Sequence, residues 1–353
     1  MKILLYTSIL SGGGAERVLC QLANNFCEEH KVTLVAAYKT EHEYSICDAV
    51  KKIYIDDSPR NKHSLRQIVR LREIIASIRP NICISFLPQP NYKMILASLF
   101  LNTKVIVSVR NDPNKEYSSK ISRIICKILY RFADGIVFQT KDAQQWFPKS
   151  IRKKSVIIMN QVDKSFFDVQ RCNGEYLVST GRLNKQKNYP LLFRSFSRYV
   201  KSHNKEVLRI YGIGELKEEL SRLIDELEMQ GHIILMGSSS NISDVLIHAK
   251  AFVLSSDFEG MPNGLLEAMA VGLPCISTDC PCGGPKMIIE DGVDGLLVPI
   301  DDENKMVEAL DKILSNKKFA EKIGKNAKIK AKEFRPEKVF TQWEEYLERV
   351  SKQ

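Results

Sequence analysis

The stretch SSDFEGMPNGLLEAMAVG spans residues 255–272 and carries the features on which the fold assignment depends. It follows the apolar run AKAFVLSS, which has the length and composition of a buried strand. Pro262 suits the start of a helix, the residues from Leu265 to Ala270 are strong helix formers, and Gly272 stands where helices commonly end. The stretch therefore predicts a strand, a loop and a helix, the repeating unit of a parallel α/β sheet.

Two carboxylates, Glu259 and Glu267, frame the start of this predicted helix. The backbone N–H groups of Asn263, Gly264 and Leu265 would point out of the helix start, where an anion such as a phosphate is stabilised. A ligand with a phosphate in its middle and hydroxyl groups at both ends fits this arrangement, and nucleotide sugars have that composition. The ordinary alternative is a buried βα unit with both glutamates exposed on its surface.

Strand-like and helix-like segments alternate along the whole chain, which predicts parallel sheets covered by helices on both faces. One series of strands runs from KILLYTS at 2–8 to SVIIM at 155–159, and a second runs from EYLVST at 175–180 to GLLVP at 295–299. The strand pattern lapses between them, where we place the linker. We therefore expect an α/β protein with two Rossmann-like, doubly wound domains at 1–165 and 174–335, followed by a helix within 336–353.

Size and composition are ordinary for a soluble protein with two cores, since the chain has 353 residues, of which 44% are hydrophobic and 27% charged. Met1 is followed at once by a strand-like segment, and no apolar run approaches the roughly 18 residues of a spanning helix, so we expect a cytoplasmic protein. The nine cysteines form no framework, which suggests reduced thiols. The group Cys275, Cys280 and Cys282 lacks the second ligand pair of a zinc site, so we expect no metal there.

The formal net charge of +10 is concentrated in the first half of the chain. Between Lys51 and Lys153 there are 20 Lys and Arg against 7 Asp and Glu, a local excess of 13. This excess indicates an anionic partner, which could be nucleic acid, a membrane surface or a phosphate-bearing substrate.

One predicted helix in this region, from Lys120 onward, is both basic and amphipathic. It carries four basic residues on one face and five isoleucine or leucine residues and a phenylalanine on another. Such a helix can lie on an anionic lipid surface. The alternative is that its apolar stripe packs on the sheet while its charges face water, and both can hold for one helix.

Two further loops carry residue types suited to phosphate. Gly12, Gly13 and Gly14 stand between the first predicted strand and a helix, as in several phosphate-binding folds, although a tight turn also needs glycine. The spacing differs from the dinucleotide-binding fingerprint, and the next strand lacks its acidic residue. Arg182 and Lys187 share the loop after the first strand of the second series, where both could contact one diphosphate.

The element E-x7-E, with PNGLLEAMA inside it and GLP after it, resembles the donor-site motif of family 4 retaining glycosyltransferases of the GT-B type. GRLNKQKN at 181–188 resembles the G-R-L-x-x-x-K-N element of the same family, and SGGGAERVL at 11–19 resembles its first glycine-rich loop. The resemblance covers nearly the whole chain. It implies a GT-B fold with an interdomain cleft and a C-terminal helix that packs back on the N-terminal domain.

The resemblance also implies a role for each matching residue. Glu259, Arg182 and Lys187 would be catalytic, with Glu259 on the donor sugar and the two cations on the leaving diphosphate. Donor-binding residues would be Gly14, Gly181, Gly212, Gly214, Asn263, Gly264, Leu265 and Glu267, of which Glu267 would hold the ribose hydroxyls. Acceptor-binding residues would be Gly12, Gly13, Arg17 and Arg110.

One departure from the family pattern lies after the strand KVIVSV. Where relatives often carry a histidine in S-E-H, this chain has Val109 and Arg110. Arg110 could replace that histidine near the sugar or hold acceptor phosphate. Asn111 and Asp112 could instead simply form the turn before Pro113.

The motifs together look most like bacterial enzymes that extend undecaprenyl-diphosphate-linked sugars for O-antigen, capsule or lipid-linked oligosaccharide. The implied activity is hexosyl or N-acetylhexosaminyl transfer, with UDP-GalNAc as the preferred donor and UDP-Glc, UDP-Gal or GDP-Man as alternatives. The implied site needs no metal or other cofactor, and the implied location is the cytoplasmic face of the anionic inner membrane. A basic nucleic-acid-binding protein is the main alternative of another class, but an aromatic-rich binding motif is missing. A catalytically inactive scaffold is a third.

Overall fold

The computed structural model describes residues 1–56, 64–172, 174–203 and 205–353. The chain divides into two units, one formed by Met1–Asn160 with Glu337–Gln353 and the other by Gln161–Pro336. The described strands are β1 (Lys2–Thr7), β2 (Lys31–Tyr38), β3 (Lys51–Asp56), β4 (Ile82–Phe86), β5 (Lys104–Val109), β6 (Gly135–Phe138), β7 (Ser155–Ile157), β8 (Tyr176–Thr180), β9 (Leu208–Tyr211), β10 (Ile233–Gly237), β11 (Ala249–Leu254), β12 (Cys275–Thr278) and β13 (Leu296–Val298).

Helices separate these strands along the chain. The described α-helices are α1 (Gly14–Phe26), α2 (Ser64–Ile78), α3 (Pro88–Ser98), α4 (Pro113–Glu116), α5 (Lys120–Leu129), α6 (Lys141–Gln145), α7 (Lys149–Arg152), α8 (Tyr189–Val200), α9 (Lys217–Glu226), α10 (Ile242–Ile247), α11 (Asn263–Val271), α12 (Gly284–Ile288), α13 (Glu303–Ser315), α14 (Lys317–Ala331) and α15 (Pro336–Ser351). Among them, none is long and apolar enough to span a bilayer.

Each unit contains one parallel sheet. Over the described residues, the strand order is β3-β2-β1-β4-β5-β6-β7 in the first unit and β10-β9-β8-β11-β12-β13 in the second. The central strands are buried on both faces; in β1, for example, all residues after Lys2 are buried. Helices on both faces require such continuous apolar strands, which is why the strands could be recognised in the sequence. The predicted fold class, two Rossmann-like parallel-sheet domains, is confirmed.

The C-terminal helix α15 belongs to the first unit. Its Trp343 is fully buried and stacks on Phe86, with 6.0 Å between ring centroids. The hydroxyl of Tyr346 accepts a hydrogen bond from the Ile136 N–H and donates one to the Lys154 carbonyl, each at 2.7 Å. The apolar stripe of this helix thus completes the core beside β4 and β6.

Helix α5 does not pack its apolar stripe on the sheet. Its isoleucines at 121, 124, 125 and 128 are exposed to solvent, and among its residues only Cys126 is buried. The expectation that the apolar stripe packs on the sheet was therefore wrong. The helix contacts its unit through the side that carries the buried Cys126 and the half-buried Arg123.

Candidate functional site

The candidate site lies at the carboxyl end of the second sheet, where β8 and β11 are neighbours. The chain continues from β8 toward one edge of the sheet and from β11 toward the other, so this position is the topological switch point. In open parallel α/β sheets, ligands bind outside the strand ends at such a point. The loop after β8 contains Gly181, Arg182 and Lys187, and the loop after β11 contains Glu259.

A buried ion pair joins these two loops. Lys187 Nζ donates to Glu259 Oε1 at 2.5 Å, and the two side chains are only 16% and 8% exposed. The Ser256 hydroxyl donates to the same carboxylate oxygen at 2.7 Å. Thr278, at the end of β12, donates to the Ser256 carbonyl at 2.5 Å. Three neighbouring strand ends therefore hold one carboxylate in a defined position.

Backbone hydrogen bonds fix Glu259 and its loop further. The Glu259 N–H donates to the Pro281 carbonyl at 2.6 Å, and the Glu259 carbonyl accepts from the Cys282 N–H at 3.0 Å. Burial raises the pKa of the nearby Cys280 thiol to about 12, and the negative charge of Glu259 adds to this shift. Cys280 is thus a neutral thiol at physiological pH and offers no nucleophile beside Glu259.

The loop that carries Lys187 is bound to the loop after β11 along its length. The Ser255 hydroxyl donates to the Lys187 carbonyl at 2.8 Å, and the Asp257 N–H donates to the Gln186 carbonyl at 2.9 Å. Gln186 in turn donates from its side chain to the Phe258 carbonyl at 2.9 Å. These bonds restrict the lysine to one position relative to the carboxylate, as a preorganised charged site requires.

Asn188 closes this loop and starts the next helix, a role that the sequence analysis missed. It has a left-handed backbone with φ of 41°, and its side chain accepts the Leu191 N–H as the N-cap of α8. Its amide group donates to Asp257 at 2.6 Å and to Asp301 at 3.0 Å. An Asn directly before a Tyr-Pro helix start is the signal that could have predicted this cap. Ser256 was missed as well, because a serine at a strand end has no distinguishing pattern.

Helix α11 begins against the end of β8. A Cβ atom at Gly264 would lie 2.3 Å from the Thr180 hydroxyl oxygen, so only glycine permits this approach. Leu265 is fully buried and Glu267 is 5% exposed in the same helix. Gly272 ends the helix with a left-handed φ of 90°, which confirms the predicted helix end. The structure thus places the helix start directly beside the loop of Arg182 and Lys187.

The loop after β9 lies on the other side of that loop. Gly212 approaches Gly181 so closely that an added Cβ would lie 1.8 Å from the Gly181 carbonyl oxygen. The Gly181 N–H donates to the Tyr211 carbonyl at 3.0 Å, which continues the sheet pairing by one residue. Gly214 follows in the same loop, beside Leu183. The two loops that carry the predicted donor-binding residues Gly181, Gly212 and Gly214 are therefore neighbours.

The predicted residues of the first unit occupy the corresponding edge of their own sheet. Gly12, with φ of +77°, and Gly13 follow β1, which lies next to β4 at the switch point of that sheet. Gly14 is the first residue of α1, and the Arg17 N–H donates to the Gly13 carbonyl in its first turn. Of the predicted donor-binding residues, Gly14 alone belongs to this unit.

Arg110 is a buried guanidinium rather than a surface cation. It lies over the Phe86 ring, 4.2 Å from the centroid, and donates to Ser108 at 3.3 Å and to Asn160. Burial lowers the pKa of Arg110, and its Nε has no hydrogen-bond partner within the described residues. Asp112 accepts the Asn114 N–H as the N-cap of α4, so this residue does form the turn before Pro113.

Glu116, at the end of α4, is a half-buried carboxyl group that interacts electrostatically with Arg110 and Asp112. Burial and the negative charge of nearby Asp112 together raise its pKa to about 8, while Arg110 opposes the shift. Its Oε2 atom has no hydrogen-bond partner among the residues that the structure describes. Glu116 therefore keeps its proton to a higher pH than an exposed glutamate does.

We expect a Glu116→Gln variant to change how stability depends on pH. Between pH 4.5 and about 8 the folded protein keeps this proton while the unfolded chain has lost it. The unfolded state then binds fewer protons, so this group lowers the free energy of unfolding as pH rises through the interval. The variant lacks that contribution and should gain stability relative to wild type toward pH 8. Thermal unfolding across the interval measures the difference, and parallel curves would contradict the assignment.

Within the described residues, no group of three or more His, Cys, Asp or Glu side chains is arranged to hold a metal ion. The charged groups of the site are instead the cations Arg182 and Lys187 and the carboxylates Glu259 and Glu267. Such a site can bind an anion through its cations and helix start, and hydroxyl groups through its carboxylates.

Comparison with known proteins agrees with this chemistry. Residues 163–330 match the family model "Glycosyl transferases group 1", and residues 12–166 match "Glycosyltransferase Family 4". A glycosyltransferase of Methanocaldococcus jannaschii is 30% identical over 342 residues, which cover 80% of this chain and 83% of that protein.

Two further relatives cover almost the whole chain. One is the Campylobacter jejuni GalNAc-α-(1→4)-GalNAc-α-(1→3)-diNAcBac-PP-undecaprenol α-1,4-N-acetyl-D-galactosaminyltransferase, 27% identical over 354 residues and 97% of both chains. The other is the crystal structure of Anabaena HepE with UDP and glucose, which has a TM-score of 0.84 at 16% identity and covers 99% of this chain and 100% of that one. The family assignment made from the motifs is confirmed: the chain belongs to the family 4 glycosyltransferases with the GT-B fold.

Proposed function

We propose that the protein transfers a sugar from a UDP-sugar to a polyprenyl-diphosphate-linked saccharide, with retention of the anomeric configuration. The observation that carries this proposal is the buried contact of Lys187 with Glu259 at the switch point of the second sheet. A cation and a carboxylate fixed beside a helix start are suited to a ligand that has a diphosphate next to a sugar. The name of the Campylobacter jejuni relative supplies the class of acceptor.

In this proposal the diphosphate of the donor binds to Arg182, Lys187 and the start of α11. As the bond between the anomeric carbon and UDP breaks, negative charge grows on the leaving phosphate. Arg182 offers a planar set of donors, Lys187 a point charge, and the residues Asn263–Leu265 the positive end of the helix dipole. These groups supply the stabilisation that a divalent ion gives in other transferases, so we propose that no metal is needed.

When the donor binds, Lys187 would change its partner from Glu259 to the donor diphosphate. A buried carboxylate that loses its cation is strongly destabilised unless another group replaces the interaction. We infer that the diphosphate takes over Lys187 while hydroxyl groups of the donor sugar replace the lysine at Glu259. Glu259 is then positioned to stabilise the positive charge that develops on the sugar ring. The hydrogen bond from Ser256 keeps the carboxylate oriented during this exchange.

Residues near the same edge of the second sheet would make the remaining donor contacts. Glu267, buried in α11, would accept hydrogen bonds from the ribose hydroxyls. The loop with Gly212 and Gly214 would lie along the base. Gly12, Gly13 and Arg17 would bind the acceptor together with Arg110.

Retention would proceed by attack on the same face from which UDP departs. The acceptor oxygen bonds to the anomeric carbon, the bond to the UDP oxygen breaks, and the acceptor proton passes to the leaving phosphate. No covalent sugar–enzyme intermediate is needed, and Glu259 acts on the charge of the ring rather than as a nucleophile.

The preferred donor in this proposal is UDP-GalNAc, and the acceptor would be an intermediate of O-antigen or another surface polysaccharide. The acceptor carries a long lipid, so the enzyme would work at the cytoplasmic face of the inner membrane as a peripheral protein. An anionic bilayer also explains the excess of 13 positive charges between Lys51 and Lys153 better than a nucleic acid does.

Purified protein should consume UDP-GalNAc in the presence of a synthetic polyprenyl-diphosphate monosaccharide and release UDP. UDP-Glc, UDP-Gal and GDP-Man are the competing donors, and EDTA should leave the rate unchanged. The anomeric coupling in the NMR spectrum of the product reports retention or inversion. Turnover with GDP-Man alone would overturn the UDP assignment, and an inverted product would overturn the mechanism.

A further inference from the structure

Helix α5 and the short turn after it expose a continuous row of large apolar side chains. We define the α5 surface as Ile121, Ile124, Ile125, Ile128 and Phe132, each between 43% and 70% exposed. Positions separated by three and four residues fall on one side of a helix, so the row is a stripe about 100° wide. A globular protein normally buries such a stripe, and a large exposed one marks an interaction site.

Phe100 extends this surface from a neighbouring element. It follows α3, is 98% exposed and has a left-handed φ of 63°. Phe100 and Phe132 both line a cavity of about 630 Å³. Exposed apolar side chains are therefore present both on α5 and at the end of α3.

Positive charge flanks the stripe along one side. The segment from Tyr117 to Ala133 contains four basic residues and no acidic one. Lys120 and Arg131 are exposed at its two ends. Arg123 is held by a 2.9 Å hydrogen bond to the Tyr117 carbonyl, and Lys127 lies over the Trp146 ring at 4.4 Å. Apolar side chains beside fixed cations match the boundary between acyl chains and anionic headgroups.

We propose that the α5 surface binds the anionic lipid bilayer and inserts its isoleucine and phenylalanine side chains below the headgroups. The inference rests on the proposed lipid-linked acceptor and names the part of the protein that reaches the membrane. Helix α5 starts ten residues after Arg110 in the chain and belongs to the same unit as the predicted acceptor residues. The lipid of the acceptor would then stay in the bilayer while its diphosphate reaches the end of β5.

The test is flotation of the full chain with vesicles that contain about 30% phosphatidylglycerol in phosphatidylcholine, at about 0.1 M salt. The wild type should float with these vesicles, and the double variant Ile124→Glu/Ile128→Glu should bind at least about tenfold less. Ile329→Glu is the matched control. Ile329 lies in α14 of the second unit and is 56% exposed, which is close to the 59% exposure of Ile124. This control should float like wild type.

Transfer to a short, detergent-soluble prenyl-diphosphate acceptor should be equal in the double variant and the wild type. If the proposed function is wrong, the wild type transfers no sugar to this acceptor, and its flotation with the vesicles can still be tested. Equal flotation of the double variant and the wild type would overturn the lipid assignment. The lipid assignment would also be overturned if light scattering showed the wild type to be a dimer and the double variant to be a monomer. The α5 surface would then bind a second copy of the chain.

Discussion

Replacing Lys187 by methionine is expected to lower turnover about a hundredfold, the usual cost of removing one preorganised charge-stabilising group. The substitution removes a cation from the leaving diphosphate and leaves the carboxylate of Glu259 without its 2.5 Å partner. Turnover is measured at saturating donor, with the soluble acceptor, to separate it from donor binding and from membrane binding.

Lys185→Met is the matched control for this prediction. Lys185 carries the same side chain in the same turn, two positions earlier, and is exposed to solvent. It should keep turnover within about twofold of wild type, because an exposed solvated lysine stabilises little. The double variant Lys187→Met/Glu259→Gln removes both charges of the pair and should recover thermal stability without recovering turnover. A Lys187→Met enzyme as fast as the Lys185→Met control would refute the role in catalysis.

The second large effect is a difference between the two glutamate variants, one of which should lose turnover and the other affinity for UDP. Glu259→Gln keeps an oxygen for the Ser256 hydroxyl but removes the charge, so turnover should fall about a hundredfold while the affinity for UDP changes less than about threefold. Glu267→Gln weakens hydrogen bonds to the ribose, so the dissociation constant of UDP should rise about tenfold. Its turnover at saturating donor should stay within about threefold of wild type.

Isothermal titration with UDP and steady-state kinetics measure the two variants side by side. The opposite pattern, with turnover lost in Glu267→Gln and affinity lost in Glu259→Gln, would exchange the two roles. Full activity in both variants would show that the donor does not bind at this part of the second unit.

Several features of the site were predictable because the ends of parallel strands meet at one edge of a sheet. Loops that follow β8, β9 and β11 therefore lie together, although their residues are far apart in the chain. The glycines of these loops could also be assigned, since close backbone approach needs a residue without a side chain. The ion pair of Lys187 with Glu259 was not predictable from spacing, because it depends on β8 and β11 being neighbours.

Arg110 and helix α5 show where local patterns lose their meaning. The residue type of Arg110 indicated an accessible cation, but the structure places it over Phe86 and beside Asn160, inside the first unit. The helical period of α5 predicted an apolar stripe correctly and left its direction open. The direction of a stripe depends on how the helix packs in the folded unit, which no local pattern records.

The sequence by itself determined the order of strands and helices, the two Rossmann-like sheets, the helix end at Gly272 and membership of a glycosyltransferase family. These properties follow from the periodicity and turn chemistry of short segments, which act over a few residues. The tertiary structure alone decided that Ser256 holds Glu259, that burial raises the pKa of Glu116 and that α5 exposes its isoleucines. Each of these depends on desolvation and on contacts between distant segments, which exist only once the chain has folded.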